Sequence, residues 1–176
     1  MKKYIFRDTD DYGRAEYDIA GKDYEILINT CCKYCNILAF KVRDSQLNYL
    51  SELEKFKISP SDKILSFYSN LYRGFEEYKP TINYYRVCPE LNELLLKMAN
   101  SIWDFEKHHN LPADPVFYRE DGSVFFYTVT HDGWCCLFAR DDEEIESVIA
   151  DSEWDFVVEN KYYGEHYFDA ESLISN

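Results

Sequence analysis

Three short segments rich in aromatic and β-branched residues follow one another after Pro115, and they restrict the fold more than any other feature of this chain. They run from Val116 to Arg119, from Ser123 to Thr130 and from Trp134 to Arg140. The stretches between them, Glu120-Asp121-Gly122 and His131-Asp132-Gly133, have the composition of tight turns. This pattern predicts three consecutive antiparallel strands.

Upstream of these strands, apolar residues recur at helical spacing. They step by three and four from Lys22 to Arg43 and again from Ser45 to Phe56, which predicts two helices. Ser59-Pro60 favours the start of a third helix, since it offers an N-cap followed by proline. A fourth helix is predicted from Pro89 to His109, and a strand from Ile82 to Val87.

Two elements are expected to follow the three strands. Asp141 and Glu144 form a capping pair, which predicts a short acidic helix capped by these residues. A last strand from Trp154 to Glu159 is expected to rejoin the sheet. Shorter strands are predicted near Tyr4–Phe6 and Ala15–Ile19.

These elements predict an α+β fold. Residues 1–110 are expected to be mainly helical, and residues 111–176 to form a β-meander with one short acidic helix. A chain of 176 residues, 46% of them hydrophobic, is large enough for one core, and no repeat or linker divides it. We therefore expect a single domain, 1–176, with the N-terminal helices packed on one face of a C-terminal antiparallel sheet.

The sequence predicts a cytoplasmic protein without a membrane segment. The first residues lack the apolar stretch of a secretory signal, and no apolar run approaches the length of a membrane span. The six cysteines are therefore expected to stay reduced.

Negative charge is concentrated in the last third of the chain. Residues 1–110 carry 16 Lys and Arg against 17 Asp and Glu, whereas residues 111–176 carry 3 against 16. Residues 141–159 contain no basic residue at all, so we expect a strong negative potential there. Such a surface repels nucleic-acid phosphates and attracts a basic protein, such as a nuclease or a nucleic-acid-binding effector.

The residues predicted to contact this partner are nine carboxylates and two tyrosines, the latter because tyrosine is enriched at binding hot spots. They are Asp141, Asp142, Glu143, Glu144, Glu146, Asp151, Glu153, Asp155, Glu159, Tyr162 and Tyr163. A well-solvated acidic face that only keeps the protein soluble is the alternative interpretation.

Other candidate chemistry is sparse. Cys32 and Cys35 form a Cys-x-x-Cys that could supply half of a zinc site, although buried thiols explain the pattern better because no second pair has matching spacing. His131, in a turn beside an aspartate, has no evident nucleophile as a partner. The common nucleotide, metalloprotease and hydrolase motifs are missing, so neither a catalytic residue nor a cofactor is predicted.

Residues Phe117 to Glu159 resemble small acidic immunity-like inhibitor proteins of bacteria. The resemblance is carried by Val124-Phe125-Phe126-Tyr127, Asp132-Gly133-Trp134 and Trp154-Asp155-Phe156-Val157-Val158, about a quarter of the chain. It implies a cytosolic protein that binds a toxin, often a nuclease, and blocks it without chemistry.

Two alternatives stay open. A phage or mobile-element anti-CRISPR or anti-restriction protein that mimics DNA would use the same carboxylates in place of phosphates. An enzyme or zinc-dependent regulator would instead use the cysteines and His131.

Overall fold

The computed structural model describes residues 2–6, 18–42, 51–61, 64, 81–108, 110–130, 133–151 and 156–159. The strands are β1 (Lys2–Phe6), β2 (Ile37–Val42), β3 (Lys57–Ile58), β4 (Thr81–Arg86), β5 (Ala113–Tyr118), β6 (Val124–Val129), β7 (Trp134–Ala139) and β8 (Phe156–Glu159). The helices are α1 (Lys22–Tyr34), α2 (Pro89–Met98), α3 (Asp104–Lys107) and α4 (Glu146–Asp151), with a 3₁₀ turn at Glu54–Phe56. Helices and strands occur together, which confirms the predicted α+β class.

The eight described strands form one sheet in the order β3-β4-β2-β5-β6-β7-β1-β8, and every neighbouring pair is antiparallel. The meander of β5, β6 and β7 predicted after Pro115 is confirmed. The strand predicted at Ile82 to Val87 and the one ending at Glu159 are confirmed as β4 and β8. The described part of residues 1–110 contains helices together with β1 to β4, so the expectation that this part is mainly helical stays a prediction.

Both turns of the meander end on a glycine with positive φ. The Gly122 N–H donates to the Arg119 carbonyl (3.0 Å), and the Gly133 N–H donates to the Thr130 carbonyl (3.3 Å). Their φ values, 83° and 66°, lie in the left-handed region that glycine adopts at little cost. The glycines therefore fix the position at which each strand reverses.

The helix predicted from Lys22 to Arg43 is too long. α1 ends at Tyr34, and Cys35 is already extended, with φ −119° and ψ 153°. The next residues, Ile37–Val42, lie as β2 between β4 and β5. Pairing on both sides satisfies the backbone of this apolar run, so tertiary contact overrides its helical spacing.

The helix predicted from Pro89 to His109 is interrupted. α2 ends at Met98, and α3 starts only at Asp104. Between them, the Asp104 carboxylate accepts a hydrogen bond from the Ser101 N–H (3.1 Å), and the Ser101 hydroxyl accepts one from the Asp104 N–H (3.1 Å). This reciprocal pair, typical of a capping box, favours the start of a new helix at this point.

Alternate strand residues belong to two buried clusters. Phe117 and Leu137 join the cluster that contains Leu27 of α1 and Leu91 of α2. Val116, Tyr118, Tyr127 and Phe138 belong to the second cluster with Ile64, and the rings of Tyr127 and Phe138 stack at 5.8 Å. The sheet is thus buried on both faces along these strands.

Some of the predicted elements involve residues that the structure does not describe. The helix expected after Ser59-Pro60 falls largely outside the described residues, as does the strand at Ala15–Ile19. The single-domain assignment and the packing of all N-terminal helices on one face therefore stay predictions. Within the described ranges, no helix combines the length and apolar character that crossing a bilayer requires.

Candidate partner-binding surface

The acidic segment after β7 is a compact turn that leads into α4. The Asp141 carboxylate accepts a hydrogen bond from the Glu144 backbone N–H (3.1 Å), which confirms the predicted capping contact. The N–H groups of residues 145 and 146 bond to carbonyls three residues earlier, at 3.3 and 3.4 Å. The α-helix itself begins at Glu146, two residues after the predicted capping pair.

The five predicted carboxylates of this turn divide into two groups. Four are exposed, namely Asp141, Asp142, Glu143 and Glu146. Glu144 is different, because only 8% of it is exposed and it is followed by the fully buried Ile145. The turn therefore has an outer acidic face and an inner anchor.

Glu144 is anchored by Arg119, the residue that follows β5. Its Oε1 accepts a hydrogen bond from Arg119 Nε (3.0 Å), and its Oε2 accepts one from Arg119 Nη2 (2.6 Å). Oε2 also accepts the backbone N–H of Arg140 (2.6 Å). The expectation that Glu144 contacts a partner is thus corrected, since its carboxylate is engaged inside the protein.

The remaining donors of Arg119 bind the meander. Nη1 donates to the Val124 carbonyl (3.0 Å) and the Ser123 hydroxyl (3.3 Å), and Nη2 donates to the Phe138 carbonyl (2.6 Å). The guanidinium also lies 4.8 Å from the ring centroid of Phe125. One buried side chain therefore ties β6, β7 and the acidic turn together, with the bidentate geometry that arginine gives to a carboxylate.

The turn between β5 and β6 extends the acidic surface. Glu120 and Asp121 are exposed, and Asp121 forms an ion pair with Arg140, the residue before Asp141. Burial opposes ionisation of Asp121, but hydrogen bonds from Ser123 and the Arg140 guanidinium outweigh it and lower the pKa of this carboxyl. This turn therefore adjoins the acidic turn.

We name the exposed carboxylates of the two turns the acidic end. It consists of Glu120, Asp121, Asp141, Asp142, Glu143 and Glu146. Sequence reasoning missed Glu120 and Asp121, although their position in the first hairpin turn indicated that they lie at one end of the sheet.

A cation from α1 also lies close to the acidic end. Hydrogen bonding to Tyr34 raises the pKa of Lys33, and the nearby Glu143 and Glu146 carboxylates add to this effect. Its Nζ lies 4.6 Å from the Tyr34 ring centroid, while the Tyr34 hydroxyl donates to the Glu143 carbonyl (3.2 Å). Lys33 and Arg140 thus offset part of the negative charge, and the acidic end keeps an excess of carboxylates.

The structure does not describe the side chains of the other predicted contact residues. Asp151 ends α4 and Glu159 ends β8, but their side chains are outside the description. The same holds for the whole of Glu153, Asp155, Tyr162 and Tyr163. These six contacts stay predictions.

The cysteines lie in and around the core. All six carry free thiols, and Cys31, Cys35, Cys135 and Cys136 are buried. Burial raises the pKa of Cys35 well above its usual value, although the Arg119 guanidinium opposes this effect. A thiol that stays protonated is neither a ready nucleophile nor a ready metal ligand.

The structure gives no support to a metal site at Cys32 and Cys35. Across the part of the chain that is described, no group of three or more His, Cys, Asp or Glu side chains is placed to hold a metal ion. His131 lies outside the described residues, so its predicted role is not tested.

Comparisons with known proteins returned no relative. No protein-family model matches the chain, and neither a curated protein nor a solved structure matches it. The resemblance of Phe117–Glu159 to immunity-like proteins therefore stays a prediction.

Proposed function

We propose that this chain is a non-catalytic acidic inhibitor of the toxin-immunity type, whose acidic end binds and occludes a basic, nucleic-acid-processing protein. The observation that carries the proposal is the division of the acidic turn into exposed and buried carboxylates. Asp141, Asp142, Glu143 and Glu146 are exposed, while the buried pair of Glu144 and Arg119 fixes the backbone that bears them.

This anchoring matters because binding is weakened by the ordering of mobile groups. A flexible acidic loop loses conformational entropy when it docks, whereas a turn held by a bidentate ion pair and a capping hydrogen bond is already ordered. A solvated face that served only solubility would not require such an anchor. The rigid turn therefore favours recognition over simple solvation.

The chemistry of the acidic end also defines the partner. Carboxylates match the guanidinium and ammonium groups that hold phosphates in a nuclease, and arginine binds them in a bidentate manner. Complementary potentials accelerate encounter, and the bound inhibitor covers the groove that nucleic acid would enter. The same potential disfavours direct binding of nucleic acid to this end. We place the inhibitor and its target in the cytoplasm.

The DNA-mimic alternative uses the same carboxylates against a different basic protein. A cognate toxin as the target indicates an immunity protein, and a restriction or CRISPR nuclease indicates an anti-defence protein. The enzyme or zinc-dependent alternative has less support, because Cys35 is buried and its pKa is raised.

A charge-reversal variant tests the proposal. The variant carries Asp142→Lys, Glu143→Lys and Glu146→Lys, and it keeps Glu144 and Asp141 because both stabilise the turn. The matched control reverses three exposed acids of α1 and α2, with Glu25→Lys, Glu90→Lys and Glu93→Lys, so that both variants have the same net charge.

The wild-type protein is first used to capture its partner from an extract of the native host, and association is then measured by surface plasmon resonance. We expect the acidic-end variant to associate at least about tenfold more slowly at low salt, with a flatter salt dependence, and the control to resemble wild type. Equal association rates for the two variants, or a captured partner without a basic surface, would overturn the proposal.

A further inference from the structure

The packing of α1 against α2 brings two cysteines to neighbouring positions. The Tyr24 hydroxyl donates to the Leu95 carbonyl (3.0 Å), and the Asn92 side-chain amide donates to Asn29 Oδ1 (2.7 Å). Moving forward along α1 therefore means moving backward along α2, so the helices run antiparallel.

The next contact in this direction lies just after the end of α1 and just before the start of α2. The Val87 N–H donates to the Asn36 carbonyl (2.9 Å), where β2 and β4 pair. Cys32 lies between Asn29 and Asn36 in the sequence, and Cys88 lies between Val87 and Asn92. Cys32 on one side of the interface and Cys88 on the other therefore both lie between the Asn29–Asn92 contact and the Asn36–Val87 contact.

Exposure separates these two thiols from the other four. Cys32 and Cys88 are half-buried, whereas the remaining cysteines are buried. Both also pack against the core cluster that α1 and α2 share. Burial raises the pKa of Cys32 to about 12, and Cys88 is the neighbouring charge that adds to this effect. The electrostatic interaction agrees with the proximity inferred from the hydrogen bonds.

We propose that Cys32 and Cys88 form a reversible disulfide that joins α1 to α2 when the protein meets a small-molecule disulfide such as oxidised glutathione. This inference is independent of the proposed inhibitor function. It assigns a redox modification site to thiols that the acidic end does not use.

The exchange proceeds in two steps. The Cys88 thiolate attacks one sulfur of glutathione disulfide, which forms a mixed disulfide and releases one glutathione thiolate. Because Cys88 in the mixed disulfide no longer carries the charge that helps to raise the Cys32 pKa, Cys32 then loses its proton to solvent and attacks the Cys88 sulfur, which forms the protein disulfide and releases the second glutathione. Two protein thiols are oxidised, one glutathione disulfide is reduced, and the two thiol protons pass to the released glutathiones. Cys88 acts first because the Cys32 thiol remains protonated at neutral pH.

Tryptic mapping without reduction identifies the pair directly in the wild-type protein. Cleavage after lysine and arginine places Cys32 in Asp23–Lys33, Cys35 in Tyr34–Lys41 and Cys88 in Val87–Lys97. After treatment with glutathione disulfide at about pH 8, near the usual thiol pKa, we expect Asp23–Lys33 to be linked to Val87–Lys97. Linkage of Asp23–Lys33 to Tyr34–Lys41, or glutathione adducts alone, would overturn the proposal.

Variants and melting temperature supply a second measurement. Because the disulfide closes a long loop, we expect oxidation to raise the Tm by about 5–10 °C, and dithiothreitol to reverse the change. Cys32→Ser and Cys88→Ser should each abolish the linked peptide and the Tm shift, which also distinguishes Cys32 from Cys31 in the shared peptide. Cys136→Ser, in the second buried cluster, is the control and should keep both. Retention of the linkage in Cys32→Ser would contradict the assignment.

Discussion

Both carboxylate oxygens of Glu144 accept hydrogen bonds from the guanidinium of Arg119, at 3.0 and 2.6 Å, with little of either side chain exposed. The two residues are 25 positions apart, and their contact joins the end of β5 to the acidic turn after β7. Because ions in a buried pair are poorly solvated, each depends on the other for compensation. The outer face of the acidic turn therefore depends on an internal ion pair.

The substitution Glu144→Gln should destabilise the protein strongly. It removes the charge that compensates buried Arg119, and breaking such a pair typically costs about 3–5 kcal/mol. The free energy of unfolding can be measured by urea denaturation. Glu146→Gln is the matched control, and we expect it to change stability by less than about 0.5 kcal/mol because its side chain is exposed.

A double variant checks the reason for this loss. Arg119→Met combined with Glu144→Leu removes both charges, so we expect it to be more stable than Arg119→Met alone. The single variant Glu144→Leu completes the comparison. If the double variant lost as much stability as Arg119→Met and Glu144→Leu lose in sum, electrostatic compensation would not be the cause.

The substitution Asp121→Asn should lower the free energy of unfolding near neutral pH but not at acidic pH. Ser123 and Arg140 lower the pKa of Asp121 in the folded protein against the opposing effect of burial. Because its pKa is lower in the folded protein, Asp121 adds stability at pH values above its ordinary pKa of 3.8. This stability is lost as the pH falls through the pKa of the folded state.

The free energies of unfolding of wild type and Asp121→Asn should therefore differ near neutral pH and converge on acidification. The difference should stay below about 1 kcal/mol, since the Asp121–Arg140 pair is half-exposed and screened by solvent. Repeating the series in about 1 M salt should reduce it. A difference that grows as the pH falls would contradict the assigned cause.

The substitution Gly21→Ala should destabilise the start of α1. Gly21 is the N-cap, with φ 58° and ψ −123°, a conformation that residues with a Cβ avoid. A Cβ built there would meet no atom within 4 Å, so the effect comes from backbone strain and not from a clash. We expect a loss of about 1–2 kcal/mol in thermal or urea unfolding. Lys22→Ala, one residue later and exposed, should change stability by less than about 0.5 kcal/mol, and an equal loss there would argue against strain.

The meander and β4 could be predicted because their signals are local. Glycines at two hairpin turns and dense β-branched and aromatic residues mark these strands without reference to distant parts of the chain. β2 could not be predicted in the same way. Leu38 and Val42 continue the helical spacing of α1, and only pairing with β4 and β5 shows that this run is a strand. The reciprocal Ser101–Asp104 contact that separates α2 from α3 was a local signal, but the strong apolar periodicity around it concealed it.

The acidic end, too, could be predicted only in part from the sequence. Charge counts identified the exposed carboxylates after β7, but counting cannot distinguish Glu144 from its neighbours. Its burial depends on Arg119, which the chain brings close only by forming the meander. The contribution of Glu120 and Asp121 likewise follows from the proximity of two turns that the sequence separates.

The position of β1 in the sheet has a consequence for folding. Lys2–Phe6 pairs with β7 on one side and β8 on the other, so its partners lie between residues 135 and 159 of the sequence. During synthesis β1 is made well before β7 and β8, so its pairs can form only after those two strands have been made. Contacts of such high sequence separation slow folding. Deletion of Lys2–Phe6 would therefore remove the strand that joins β8 to the rest of the described sheet.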